Sequence, residues 1–212
     1  MRSGGQRHWN DVYDARAEDK LTWFEATPLP SQTLVEKYLT SGGAFIDVGG
    51  GASRLADVLL DNDFGPLTVL DISVSALAVS KECLGIRGEA VTWIAADVRR
   101  WQPDREYDLW HDRAAFHFLT EPDERTAYAH VMSEALRSGG TAIIATFADD
   151  GPEICSGLAV ARYIPEELAR EFDRIIPGQL AMIGSGRHMH VTPKGNWQSF
   201  QYSVFTTMMQ KD

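Results

Sequence analysis

The sequence predicts an α/β fold built on a mostly parallel sheet. Three observations point to it. Strand-like and helix-like segments alternate along most of the 212 residues, a pattern that pairs strands in parallel with helices on both faces. One apolar run ends in a glycine cluster, Phe45-Ile-Asp-Val-Gly-Gly-Gly-Ala-Ser-Arg-Leu55, and a helical pattern follows at once. Near the C-terminus two long strand-like stretches meet at the turn-rich Thr192-Pro-Lys-Gly-Asn196 with no helix between them, as in an antiparallel hairpin.

Taken in order, Ala44–Val48 reads as the first strand and Ser53–Asp61 as its helix. Thr68–Asp71 is a second strand, and Ser75–Cys83 a helix with Leu77, Ala78 and Val79 as its apolar residues. Val91–Ala95 and Tyr107–His111 are the third and fourth strands, followed by a helix from Pro122 to Leu136. Arg137-Ser-Gly-Gly140 is expected to close that helix, because glycine tolerates the left-handed conformation found past helix C-termini. Thr141–Phe147 is a fifth strand, and Pro165–Phe172 a helix with proline in its first turn. Leu180–Val191 and Ser199–Met208 complete the pattern. One domain is expected over residues 1–212, with 1–40 as a helical segment before a core of 41–212. In that first segment Trp9 and Tyr13 fall on one helix face, and Pro28-Leu-Pro30 interrupts the helix. It reads equally as a lid over the strand ends or as packing on a sheet edge.

Composition narrows the function classes. A formal net charge of −10 disfavours capture of nucleic acid, which needs basic patches to displace counterions. No apolar run reaches the length of a membrane span, and the N-terminus lacks the apolar centre of a secretory signal. The two cysteines, Cys83 and Cys155, suggest neither a disulfide framework nor a metal cluster. A cytoplasmic location is the expectation that follows. The sequence leaves the oligomeric state open.

The glycine cluster departs informatively from the dinucleotide fingerprint. Gly49 and Gly51 fit G-x-G-x-x-G, but Arg54 stands where a small residue lets helix pack on strand. Asp-x-Gly-x-Gly, read as Asp47, Gly49 and Gly51, fits better. Asp71 follows about 20 residues after the glycines, at the end of the second strand, where a carboxylate accepts ribose hydroxyls. Asp97, in Ala95-Ala-Asp-Val98, ends the third strand. Three carboxylates at successive strand ends lie where open α/β sheets bind ligands.

This arrangement resembles the class I S-adenosylmethionine (SAM) methyltransferases, across roughly residues 8–208. Arg137-Ser-Gly-Gly140 is similar to that group's Leu-x-Pro-Gly-Gly segment. His8-Trp9, Tyr13, Asp112-Arg-Ala-Ala-Phe-His-Phe-Leu119 and Cys155-Ser-Gly-Leu158 resemble bacterial stand-alone members of the type 11/12 group. The resemblance implies a Rossmann-like three-layer sandwich whose seven-stranded sheet carries an antiparallel C-terminal strand. It implies SAM as cofactor, held by Asp47, Gly49, Gly51, Asp71 with Ile72, and Asp97 with Val98. Asp97 would accept from the adenine amino group while the Val98 N–H faces a ring nitrogen. Tyr13 and Trp23, with Phe24, are candidates for cation–π contact with the sulfonium.

Residues after the fourth strand are expected to face the methyl group. Asp112 is a candidate both for cofactor contact and for orienting or deprotonating an acceptor, and His117 a candidate base. Against these stand plain structural roles: Asp112 capping the next helix or pairing with Arg113, and His117 as a packing histidine. The loop from Asp149 through Cys155 to Tyr163 should border the acceptor. His188 and His190 share a strand face, but two histidines fall short of a zinc ligand set. Asn/Asp-Pro-Pro-Tyr is absent, which weighs against methylation of DNA adenine or glutamine. The expected activity is methyl transfer to a small molecule or a protein lysine. An NAD(P)-dependent oxidoreductase and a SAM-binding sensor or scaffold are the competing readings.

Overall fold

The computed structural model describes residues 5–62 and 64–208. The chain begins with α1 (Gln6–Asp14) and α2 (Ser31–Tyr38). It then alternates β1 (Phe45–Val48), α3 (Leu55–Asp61), β2 (Leu67–Asp71), α4 (Val74–Leu84), β3 (Val91–Ala95), β4 (Tyr107–Arg113), α5 (Pro122–Ala135) and β5 (Leu136–Phe147). A two-residue hairpin pair, β6 (Ile154–Cys155) and β7 (Leu158–Ala159), precedes α6 (Pro165–Ile175). The chain closes with β8 (Leu180–Val191) and β9 (Trp197–Thr207).

Seven strands form one sheet in the order β3-β2-β1-β4-β5-β9-β8. The first five are parallel, and β9 inserts antiparallel between β5 and β8. Side-chain alternation splits the core into two layers. Phe45, Leu109, Ile143 and Val204 pack with Val35, Leu55 and Leu77 of α2, α3 and α4. Their chain neighbours Ile46, Trp110, Ile144 and Phe205 pack on the other face with Tyr128, Met132 and Phe172 of α5 and α6. Helices thus cover both faces, which is why β1 and β2 are buried at every residue, Asp47, Thr68 and Asp71 included.

Two local expectations change. β4 runs two residues further than its apolar stretch, through Asp112 and Arg113, because both pair in register with β5. Arg137-Ser-Gly-Gly140 is not a helical cap. The helix stops at Ala135, Leu136 is already extended (φ −86°, ψ 131°), and the left-handed residue, Gly139 (φ 73°), lies four residues later, within β5.

The winding leaves a switch point between β1 and β4, where open α/β sheets form their ligand crevice. Trp9, Tyr13 and Trp23 of the segment before β1 lie over the strand ends there, while α2 packs on the sheet face. Asn10 Oδ1 accepts from Ser73 Oγ (2.8 Å) in front of α4, and Arg54 pairs with Glu18. Arg54, too large for close helix–strand packing, instead turns outward and ties α3 to the N-terminal segment.

Candidate functional site

The crevice contains a cavity of about 600 Å³, within the range of small-molecule sites. It extends across the carboxyl ends of the sheet. Asp71, Asp97 and Val98 stand at its β2/β3 side, Gly49 and Ala115 at the switch point, and Phe147 and Phe200 at its β5/β9 side. Trp9, Tyr13 and Trp23 cover it from the N-terminal segment.

Asp71 connects the strand end to the glycine turn. Its Oδ2 accepts from the Gly51 N–H (3.0 Å), and its Oδ1 from the Ser73 N–H (2.7 Å). Gly51 is required for this approach, since a Cβ there would lie 2.7 Å from Asp71 Oδ2 and 2.8 Å from Ala76 Cβ. Burial pushes the Asp71 carboxyl up to about 6, and the Asp47 charge adds to this, while the Ser73, Gly51 and Ile72 N–H groups pull it back. Two of the roughly four lone-pair positions of a carboxylate are engaged, leaving acceptors for a pair of hydroxyl donors. Beside it the Tyr13 phenol is pushed up by burial and by Asp71, so it remains a neutral donor.

Asp97 lines the cavity with its carboxylate already engaged. It receives the Arg99 N–H (3.0 Å), Nε (2.8 Å) and a terminal nitrogen (2.5 Å). Burial raises this carboxyl, but the Arg99 contacts outweigh it and hold it below the usual range. An adenine amino group would share Asp97 with Arg99. Asp47 is outside the large cavity. Its Oδ1 accepts from His111 Nδ1 (2.7 Å), whose Nε2 meets Ser31 Oγ at 2.9 Å. It borders a smaller cavity of about 50 Å³ beside Gly50 and Arg113.

Asp112 and His117 do not line the large cavity. Asp112 is fully buried. It accepts from the Ala115 N–H (2.8 Å), the Phe116 N–H (3.0 Å) and the Tyr128 hydroxyl (2.6 Å). Burial lifts its carboxyl to about 6 despite these donors. It fixes the loop after β4, where Ala114 takes a left-handed backbone (φ 70°) that an L side chain adopts at a cost. His117 is equally buried, with Nδ1 accepting from the Phe147 N–H (3.4 Å). Burial, with Arg113 adding, pushes its pKa down to about 3, so the imidazole stays neutral.

Arg113, read from sequence only as a partner for Asp112, is the cation at the switch point. It donates to the Trp23 carbonyl (3.2 Å), pairs with Glu25 (2.9 Å) and lies 5.0 Å over the Phe200 ring. Glu25 also meets His190 Nδ1 (2.9 Å), and His188 stands 3.6 Å away. The shared strand face of the two histidines is therefore aimed at a carboxylate of the N-terminal segment. Among the described residues no cluster of three His, Cys, Asp or Glu is placed to hold a metal ion. No helix there is long and apolar enough to cross a membrane.

Sheet order and switch-point crevice give the Rossmann-like α/β architecture, with carboxylates at successive strand ends beside the crevice. Residues 45–140 match the family model described as a methyltransferase domain. A human eEF1A lysine and N-terminal methyltransferase is 23% identical over 125 residues, 58% of this chain and 18% of that protein. The chain thus matches less than a fifth of that relative's length. Among solved structures, one from work on the conversion of a disulfide bond into a thioacetal group in echinomycin biosynthesis is 21% identical. It superposes with a TM-score of 0.76 over 97% of this chain and 94% of its own. The 1,6-didemethyltoxoflavin N1-methyltransferase of Burkholderia thailandensis is 18% identical, with a TM-score of 0.71 over 96% and 84%.

Proposed function

We propose that this chain binds SAM along the β1–β3 side of the large cavity and transfers its methyl group to a small molecule. The observation that carries this is Asp71, buried at the β2 end beside the glycine turn, with lone pairs free toward the cavity. In this reading Asp71 holds the ribose hydroxyls. Asp97 and Val98 face the adenine, Gly49 and Gly51 admit the tail, and Tyr13 and Trp23 cover the sulfonium. Bound SAM supplies a methyl group already activated by positive sulfur. The protein's part is to hold donor and acceptor in line and to exclude water. A protein lysine is the second reading, favoured by the name of the human relative. The covering N-terminal segment supports the small acceptor. Assay with SAM over thiols, amines, phenols, carboxylates and lysate, with mass detection of product, tests the proposal. A protein product as the main methylated species would overturn it.

A pH dependence follows from Asp71. A hydroxyl pair needs the ionised carboxylate, and this group titrates near 6 in the free protein. Its folded value is raised, so its contribution to stability is complete at acid pH and disappears as pH rises through about 6. Ligand binding has the opposite sense. Affinity for S-adenosylhomocysteine (SAH) should tighten by about tenfold between pH 5 and pH 7. Calorimetric titrations at both pH values check this; equal affinities would remove Asp71 as the hydroxyl acceptor.

A further inference from the structure

The β5/β9 end of the cavity differs chemically from the cofactor end. Phe147 and Phe200 are register partners across β5 and β9, with ring centroids 4.8 Å apart at 67°. Phe118 packs against this pair, and Trp9 stands edge-on to Phe118 at 4.9 Å. These four rings, with Gln198, line the space beyond the switch point. Offset and edge-to-face contacts of this kind suit a flat ring.

Proton acceptors are placed elsewhere. Asp71 and Asp97 belong to the cofactor end, and Glu124 is paired with Arg99. Glu121 and Asp123 are exposed at the start of α5, on the rim. Asp112 and His117, adjacent in sequence to this wall, turn into the core, and His117 is a very weak base. Cys155 is held as a thiol by burial. Arg113, with its guanidinium over Phe200, is a donor only.

We propose that this end takes a planar aromatic acceptor whose nucleophile arrives unprotonated, a ring nitrogen with a free lone pair or an aryl thiolate. The proposal rests on the reading of the other end as the SAM site. The acceptor's lone pair forms the new bond to the methyl carbon while the carbon–sulfur pair returns to sulfur. A thiolate ends as a neutral thioether and a ring nitrogen as a methylated cation. Neither leaves a proton for the protein to remove. The cationic product faces aromatic rings that stabilise it. An alkylammonium or an alcohol would need a base, and the described lining at this end supplies none.

The test uses the SAH-loaded protein and four probes: quinoline, thiophenol, N-acetyl-lysine amide and cyclohexanol. Tryptophan fluorescence should report binding of the two aromatic probes and not of the aliphatic pair. With SAM, only the aromatic pair should be methylated, and the thiophenol rate should follow that thiol's own ionisation. Phe200→Leu and Phe118→Leu should each weaken aromatic-probe binding by about tenfold, with SAH affinity kept within about twofold. Faster methylation of the lysine probe would overturn the proposal. So would equal binding of all four probes, or Phe variants that bind like the parent. If SAH binds but no aromatic probe does, this proposal alone fails. If SAH does not bind, the cofactor reading fails and takes it along.

Discussion

Asp71→Ala should weaken SAH binding by at least about 100-fold. A hydrogen bond to a charged group contributes about 1.5–3 kcal/mol, and the proposed site gives Asp71 two hydroxyl donors. Together that is about 3–6 kcal/mol, or two to four powers of ten in affinity. The alanine also releases the Gly51 and Ser73 N–H groups that Asp71 now accepts, so the glycine turn keeps only its Gly49–Leu70 backbone bond to β2. Asp71→Asn separates the two effects. It keeps an oxygen for one backbone N–H and removes the charge, so it should fall between parent and alanine. Calorimetry with SAH measures the loss, and thermal melting verifies that both variants fold. Affinity unchanged in Asp71→Ala would place the cofactor elsewhere.

The place of Asp71 at the β2 end beside the glycine turn was legible in sequence because its signal is local: an acidic residue ending an apolar run at a fixed distance past glycines. The same holds for the strands. β3 and β8 have the bounds that their strand-like runs predict, although both are edge strands and only partly buried. Features that depend on register were not legible. Nothing local pairs Phe147 with Phe200, because that contact exists only once β9 inserts beside β5. Arg113 becomes central because Trp23 and Glu25, some 90 residues earlier, fold onto it. Asp112 and His117 lie outside the cavity lining for a related reason. Position after β4 indicates the right loop, but the left-handed turn at Ala114 decides which side chains leave it toward the cavity. That turn falls at an alanine, where sequence gives no sign of it. Ala115 and Phe118 face the ligand space as a result, while Asp112 caps the loop from below.

Gly49→Val should abolish SAH binding and lower stability by more than about 3 kcal/mol, the scale of an overpacked site added to backbone strain. Gly49 has φ +70°, where a β-branched residue is a conformational outlier. Its N–H donates to the Leu70 carbonyl (2.7 Å), so the turn cannot rotate away without losing a bond to β2. A Cβ at this position would lie 2.6 Å from Ala115 Cβ, on the loop that Asp112 fixes. The added side chain therefore pushes β1 and β4 apart at the switch point, between the two ends of the cavity. Gly42 supplies the control. It has a similar φ, +77°, with nothing within 4 Å of its Cβ position. Gly42→Val carries the backbone strain without the collision, so it should cost about 1–2 kcal/mol and leave SAH affinity intact. Denaturant melts and SAH titrations on the pair measure both quantities. If the two variants lose equal stability and both bind SAH, the close approach of Gly49 to Ala115 is not what shapes the crevice.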